Sequence, residues 1–170
     1  SSDLMDSNVH IQKCYVQPPA FCVFEYIYFA REDSIIHNKL VAAQRVRFGR
    51  MLARKVQEAG LEPDIIIDIP SSGYFSASGL AEALNVPYRR GFVKNNHVGR
   101  SFIAPTQELR EKMVNEKLNP IKSIVNGKKV AVVDDSIVRG TTSKRIVQLL
   151  KRAGAAQVYF ISSAPPIQNP

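Results

Sequence analysis

At 170 residues and 18.9 kDa, the chain suits one domain with a full hydrophobic core. A composition of 45% hydrophobic and 22% charged residues excludes a disordered tail, and no apolar run approaches the ~18–20 residues that would cross a bilayer. The formal net charge of +8 admits phosphorylated ligands, nucleic acid or a missing acidic partner domain, and decides nothing alone, because Lys and Arg are spread along helix-like stretches (Arg45, Arg47, Arg50, Arg54, Lys55; Lys144, Arg145, Lys151, Arg152).

The chain opens Ser1-Ser2-Asp3-Leu4, with neither the basic nor the apolar region of a signal peptide and without an initiator Met, so an excerpt of a longer protein is expected. Cys14 and Cys22 are too few for a disulfide scaffold and suit a reducing, cytoplasmic setting. Residues 1–21 are polar, carry Pro18-Pro19 and read as a linker or tail left from a preceding domain. Residues 22–170 form the domain proper, expected to be truncated at its C-terminus. Cys22–Phe29 is β-branched and aromatic and predicts a strand. From Lys39 to Ala59, the apolar set Phe48, Met51, Leu52, Val56 and Ala59 is spaced as one helix face, which Gly60 ends. Asp64–Ile69 is nearly continuous in apolar residues, as in a strand buried on both faces of a parallel sheet. Pro70-Ser71-Ser72-Gly73 turns the chain into a short helix over Ser76–Leu84. Val86–Val93 is a candidate strand, residues 94–105 a long exposed loop, and Thr106–Lys117 a helix. Lys129–Val133 and Gln157–Ser162 predict two more strands. Strands alternating with helices imply an α/β fold: an open, mainly parallel twisted sheet flanked by helices and joined by right-handed crossovers. Ligands of such sheets collect outside the carboxyl ends of the strands, where segments 70–74 and 134–143 fall.

The second of these segments carries the chemistry. A buried strand delivers Asp134 and Asp135 to the sheet edge, followed by Gly140-Thr141-Thr142-Ser143 and a helix with Ile146, Leu149, Leu150 and Ala153 on one face, stopped at Gly154. A loop entering a helix N-terminus aims unpaired backbone N–H groups and the positive dipole end at one spot, which suits phosphate. Gly140 lets the backbone approach, and the hydroxyls add donors. The carboxylates upstream suit vicinal sugar hydroxyls or a hydrated Mg²⁺. Phosphate on one side and acceptors on the other describe a ribose 5-phosphate. Acidic strand ends that hold metal or accept phosphate without any sugar are the bland alternative, and the Gly-Thr-Thr-Ser continuation weighs against it. Neither a P-loop nor a Gly-x-Gly-x-x-Gly helix start occurs.

Val133-Asp-Asp-Ser-Ile-Val-Arg-Gly-Thr-Thr-Ser143 resembles the phosphoribosyl-pyrophosphate (PRPP) signature of type I phosphoribosyltransferases, in the form used by the glutamine PRPP amidotransferase (amidophosphoribosyltransferase) family. Cys22–Arg31, Val98–Ile103 and Ser162–Ile167 agree with that family in collinear order, so the resemblance covers about residues 22–170. It implies the type I phosphoribosyltransferase fold and displacement of pyrophosphate from PRPP by ammonia, drawn from glutamine in the full enzyme. The product is 5-phosphoribosylamine, at the first step of purine synthesis. By position, Asp134 and Asp135 hold the ribose hydroxyls directly or through Mg²⁺, with Ser72 also near the metal. Ser136 and Arg139, Gly140, Thr141, Thr142 and Ser143 cradle the 5-phosphate. Ser71, Ser72, Gly73 and Tyr74 receive the pyrophosphate. Lys94, Asn95, Val98, Gly99, Arg100, Ser101 and Phe102 form the flexible loop that closes over PRPP, and Lys94 and Arg100 join the aspartates as the catalytic set. Cations around the leaving group and exclusion of water fit a displacement with oxocarbenium character. The resemblance also implies purine nucleotides as feedback inhibitors, a glutaminase domain ahead of this one, a homo-oligomer, and neither nucleic acid nor membrane as partner.

Three departures stand out. Ser71 occupies a position that is usually acidic, Asn96-His97 replaces an Arg-Tyr pair in the loop, and Glu32 replaces a common Pro. The N-terminal Cys of the glutaminase half has no match, so no glutamine hydrolysis is expected from this chain alone. Some relatives hold an iron–sulfur cluster with one ligand at the position of Cys22 and the next just beyond Pro170; Cys22 is read instead as a buried core thiol. A nucleobase salvage phosphoribosyltransferase and a non-catalytic PRPP-sensing regulator are the alternatives, though residues 1–21 are too short for a winged helix.

Overall fold

The structure, a computed structural model, describes residues 22–94, 118–137 and 140–165. Three parallel strands form its centre: β3 (Ile65–Asp68), β6 (Lys129–Asp134) and β7 (Gln157–Ser162), in the order β3-β6-β7. Ile66 lies opposite Ala131, and Ala131 opposite Tyr159. On the free side of β3 the chain at Pro87–Arg89 runs parallel, with the Ile66 N–H donating to Pro87 O and the Arg89 N–H to Ile66 O.

Apolar residues on both faces of these strands require cover on both sides, and the chain supplies it. Ile66, Ala131 and Val133 pack under α1 (Val41–Glu58) and α2 (Tyr74–Leu84), against Ala53, Val56, Ala77 and Leu80. Ile65, Ile67, Val130 and Val132 face the other way, toward Phe92 of β4 (Phe92–Lys94), Val125 of α3 (Lys122–Val125) and Ile146 and Leu150 of α4 (Thr141–Arg152). β4 pairs antiparallel with β5 (Leu118–Pro120) as a separate two-stranded sheet, so the 86–93 stretch supplies a bridge and a strand start instead of one continuous strand. A small hairpin, β1 (Ile35–Ile36) and β2 (Lys39–Leu40), turns through His37 and Asn38, both at positive φ (48° and 58°). That is a mirror-image two-residue turn made without glycine, so its usual sequence signal is missing.

Three expectations fail in the first sixty residues. Glu25–Phe29 is a turn of π-helix, not part of a strand, closed by the Ala30 N–H on Glu25 O at 2.9 Å. Its adjacent residues Tyr26 and Ile27 are both buried, although the segment pairs with no strand of the sheet. Cys22 therefore lies at the surface before this turn and is solvent-exposed, not a core thiol. The buried stripe of α1 is also rotated from the one expected: Val41, Arg45, Gly49, Ala53 and Val56 face inward, while Met51 is 64% exposed. Gly49 and Gly79 explain the rotation. A Cβ at Gly49 would strike Ser76 O and Leu80 N, and one at Gly79 would strike Val46 O, so α1 and α2 meet backbone to backbone.

Gly→Ala in an exposed helix interior gains about 1 kcal/mol. At Gly49 the sign is expected to reverse, because the methyl group must push α2 away, and overpacking of this kind costs roughly 1–3 kcal/mol. Urea denaturation of Gly49→Ala should show a lower midpoint at unchanged slope.

Candidate active site

The site begins where the chain leaves β3. The Ile69 N–H donates to Val133 O at 3.0 Å, carrying the pairing with β6 one residue past the strand, and the Gly73 N–H returns to Ile69 O at 3.1 Å. Gly73 packs so close to Val133 O that any side chain there would strike the carbonyl. Pinned in this way, with a cis Pro70–Ser71 peptide, the loop sets Ser72 beside the end of β6, and its hydroxyl donates to Asp134 Oδ1 at 3.3 Å. Helix α2 starts at once, with Gly73 as its N-cap and no side-chain cap on its first N–H groups.

Asp134 closes β6 half-buried, and Asp135 is 9% exposed. Their backbone is held by the far strand: the Ser163 N–H donates to Asp134 O at 2.9 Å and the Ala164 N–H to Asp135 O at 2.8 Å. Asp134 Oδ1 accepts from both Ser72 and the Asp135 N–H, and Asp135 Oδ1 accepts from the Ser136 hydroxyl at 3.0 Å. Burial first, and the neighbouring Asp135 charge second, push the Asp134 carboxyl up to about 6, against the lowering effect of its two hydrogen bonds.

Gly140 then caps α4 at φ 70°, a left-handed conformation that glycine adopts without strain. No side chain caps this helix either. Ser143 donates its hydroxyl to Gly140 O at 2.9 Å, which leaves Thr141 and Thr142, both exposed, as the hydroxyl donors of the helix start. Tyr28, Asp134–Ile137 and Gly140–Ser143 together line a cavity of about 370 Å³. On the other side of Ser72, a cavity of about 520 Å³ is lined by Glu32, Asp68, Pro70, Ser71, Tyr74, Phe75, Tyr88 and Arg90. The Tyr88 hydroxyl donates to Asp68 at 2.9 Å; burial and this partner raise its pKa.

The residues singled out in the sequence are only partly brought together. Asp134, Asp135, Ser136, Gly140, Thr141, Thr142 and Ser143 share the first cavity; Ser71 and Tyr74 line the second, and Ser72 and Gly73 sit at the join. Lys94 ends β4 and is exposed, lining neither cavity. Asn95, Val98, Gly99, Arg100, Ser101, Phe102 and Arg139 lie outside the described residues, as do residues 1–21 and the expected helix at 106–117. Sequence reasoning missed Tyr28, Asp68, Tyr88 and Arg90, and noted Glu32 only as a replacement for Pro without giving it a role in the site. Tyr28 was hidden by the mistaken strand, and the others carry no local motif.

Uncapped helix starts on either side of an acidic pair, at the carboxyl edge of a parallel sheet, make a place chemically suited to an anion that also brings hydrogen-bond donors. The sequence profile of the phosphoribosyl transferase domain matches residues 37–167, and the chain belongs to that family. It is 47% identical over 152 residues to an amidophosphoribosyltransferase of Synechococcus elongatus, and 48% identical over 151 residues to that of Bacillus subtilis. Each alignment covers 89% of this chain, but 30% and 31% of those proteins, so the chain spans about a third of the curated relatives it matches. The solved glutamine PRPP amidotransferase of B. subtilis, complexed with ADP and GMP, superposes with a TM-score of 0.77 at 49% identity, over 88% of this chain and 32% of that one.

The donors a cation would meet here are all oxygens, from Asp134, Asp135 and Ser72, which suits a hard ion such as Mg²⁺. Among the described residues no three or more His, Cys, Asp or Glu side chains gather into a complete metal cage. Two carboxylates and a hydroxyl fit an ion that keeps water and substrate oxygens in its shell.

Because the folded Asp134 carboxyl ionises near 6 instead of 3.8, the folded protein holds a proton between these values that the unfolded chain has lost. Its contribution to stability is then lost as pH rises through that window, by roughly 1–2 kcal/mol once solvent screening of a half-buried group is allowed for. Asp134→Asn keeps the Oδ1 that accepts both hydrogen bonds. In metal-free buffer it should melt higher than wild type at pH 8 and alike at pH 4. A variant that melts no higher at pH 8 would show that ionising the half-buried Asp134 carboxyl beside Asp135 costs the fold nothing.

Proposed function

We propose that this domain binds PRPP and transfers its phosphoribosyl group to ammonia, releasing pyrophosphate and giving 5-phosphoribosylamine. The observation that carries the reading is the Ser72–Asp134 contact, which joins two uncapped helix starts across an acidic pair. In this reading the start of α4 takes the 5-phosphate through its free N–H groups, Thr141 and Thr142, with Ser136 and Arg139 alongside. Asp134 and Asp135 accept from the ribose hydroxyls. The 70–74 loop and the start of α2 take the pyrophosphate, whose negative charge grows as the C1–O bond breaks and which the helix dipole favours. Ammonia forms the C1–N bond on the opposite face and then gives up a proton to water. Mg²⁺, held through Asp134, Asp135 and Ser72, supplies charge neutralisation for the leaving group. Lys94 and Arg100 add cations from the loop at 94–102, which closes over the substrate and keeps water from the activated sugar.

The relatives support this reading at high identity. By the same likeness a purine nucleoside monophosphate, which carries the same ribose 5-phosphate, competes for the cradle, as the nucleotides in the B. subtilis complex suggest. Residues 1–21 then link to a glutaminase domain that supplies ammonia, in an assembly of identical chains, and no helix among the described residues is long and apolar enough to cross a membrane.

Calorimetry with PRPP, with and without Mg²⁺, tests the reading: binding should be strengthened by the ion. Replacing Asp134 and Asp135 together with Ala should abolish ammonia-dependent pyrophosphate release, a loss beyond ~10³-fold, while circular dichroism stays native. Normal turnover in the double variant would remove the acidic pair from the mechanism.

A further inference from the structure

Arg45 is an unusual residue to find on the buried stripe of α1, at 6% exposure. Its guanidinium is fully engaged with one short segment. Nε donates to Tyr26 O at 2.8 Å, Nη2 to Ala30 O at 2.8 Å, and Nη1 reaches Glu32 Oε1 at 3.5 Å. Tyr26 is the second residue of the π-turn and Ala30 its C-cap, so the two carbonyls bracket Tyr28 in sequence. Tyr28 is the one residue of this segment that lines the cavity of Asp134, Asp135 and Gly140–Ser143, and Glu32 lines the neighbouring cavity beside Ser71 and Tyr74. The segment is also fixed at its outer side, where the Tyr26 hydroxyl donates to Ile36 O at 2.8 Å. Tyr28 itself is 56% exposed and packs edge-on against Phe29, which is 68% exposed, so surrounding side chains do little to hold its ring in place.

We infer that Arg45 is a positioning residue: its planar fork clamps the two carbonyls that bracket Tyr28 and so sets that ring as a wall of the phosphoribosyl cavity. Burial of a charge without a fully matched carboxylate is costly, and a hydrophobic residue at this helix position would fill the volume at lower cost. What a hydrophobic residue cannot do is bind two carbonyls at once. Lys keeps the charge, but its donors sit on one rotatable nitrogen and do not reproduce the fixed spacing of Nε and Nη2 that matches the two carbonyls. The inference rests on the proposed PRPP site and adds a residue that touches no substrate.

A double-mutant cycle on the 170-residue chain, read as PRPP affinity with Mg²⁺ by calorimetry, separates positioning from general stabilisation. Arg45→Lys is expected to weaken PRPP about tenfold, and Tyr28→Ala by a similar factor. In the Tyr28→Ala background, Arg45→Lys should change affinity by less than about twofold, because its effect runs through a ring already removed. If Arg45→Lys weakens binding equally in both backgrounds, Arg45 acts on the fold at large and the inference is overturned. It is overturned too if Tyr28→Ala binds as wild type does. Failure of the wild-type chain to bind PRPP at all removes the parent reading, and this one with it. Thermal melts accompany the cycle; should Arg45→Lys not fold, Arg45→Gln, with an amide that can still donate to one carbonyl, takes its place.

Discussion

The site depends on how closely the loop after β3 presses against the carboxyl end of β6. The Ile69 N–H on Val133 O, and the absence of a side chain at Gly73, allow two backbones to meet where side chains usually keep them apart. Everything else about the site follows from that approach. It brings the start of α2 beside the end of β6, places Ser72 on Asp134, and divides the surface into two adjoining cavities. The α1–α2 contact repeats the device at Gly49 and Gly79, so the helix that points at one cavity is itself seated by backbone contact. Rigid elements positioned in this way hold reactive geometry better than a loop left to itself.

The electrostatics are arranged around opposite signs. Two uncapped helix starts present partial positive charge to an anion, on a chain with a formal charge of +8. Between them sit two carboxylates, buried enough that one resists ionisation. A pair of acids between anion sites lowers affinity for a bare anion and makes sense only with something to bridge them. A ligand that brings hydroxyl donors, a cation, or both relieves the repulsion and gains from the dipoles together.

Much of this was legible in the sequence because strand, acidic pair, glycine and helix follow one another within Val130–Ala153. Local order there is spatial order, and β3, α1, α2, β6, α4 and β7 all appear close to their expected limits. What was not legible is non-local. The CVFEYIYF stretch has a strand's composition, yet it winds into a π-turn because Arg45, some nineteen residues on, takes its carbonyls. Tyr28 reaches the cavity only through that winding. The helix stripe was misplaced by the same cause: an inward Arg and an inward Gly do not register as apolar, so Met51 looked more buried than it is. The hairpin turn at His37-Asn38 was missed because its first left-handed residue is a His and no Gly follows the Asn, so the usual Asn-Gly or Asp-Gly signal is absent.

The substitution at Ser71 looks different once the side chains are in place. The hydroxyl that meets Asp134 belongs to Ser72, so the join between the cavities does not involve position 71, which is exposed on the second cavity. That cavity is not short of carboxylates. Asp68 reaches it from the end of β3 at 5% exposure, fixed by the Tyr88 hydroxyl, and Glu32 reaches it from the segment that Arg45 holds. Arg90 lines the same cavity, from the chain just beyond Tyr88. The negative charge on this side is therefore carried by residues on a strand end and an anchored turn, while the loop between them keeps only hydroxyls. A loop so composed sets no carboxylate of its own against the cavity, and the two acids nearby are engaged by the Tyr88 hydroxyl and the Arg45 guanidinium.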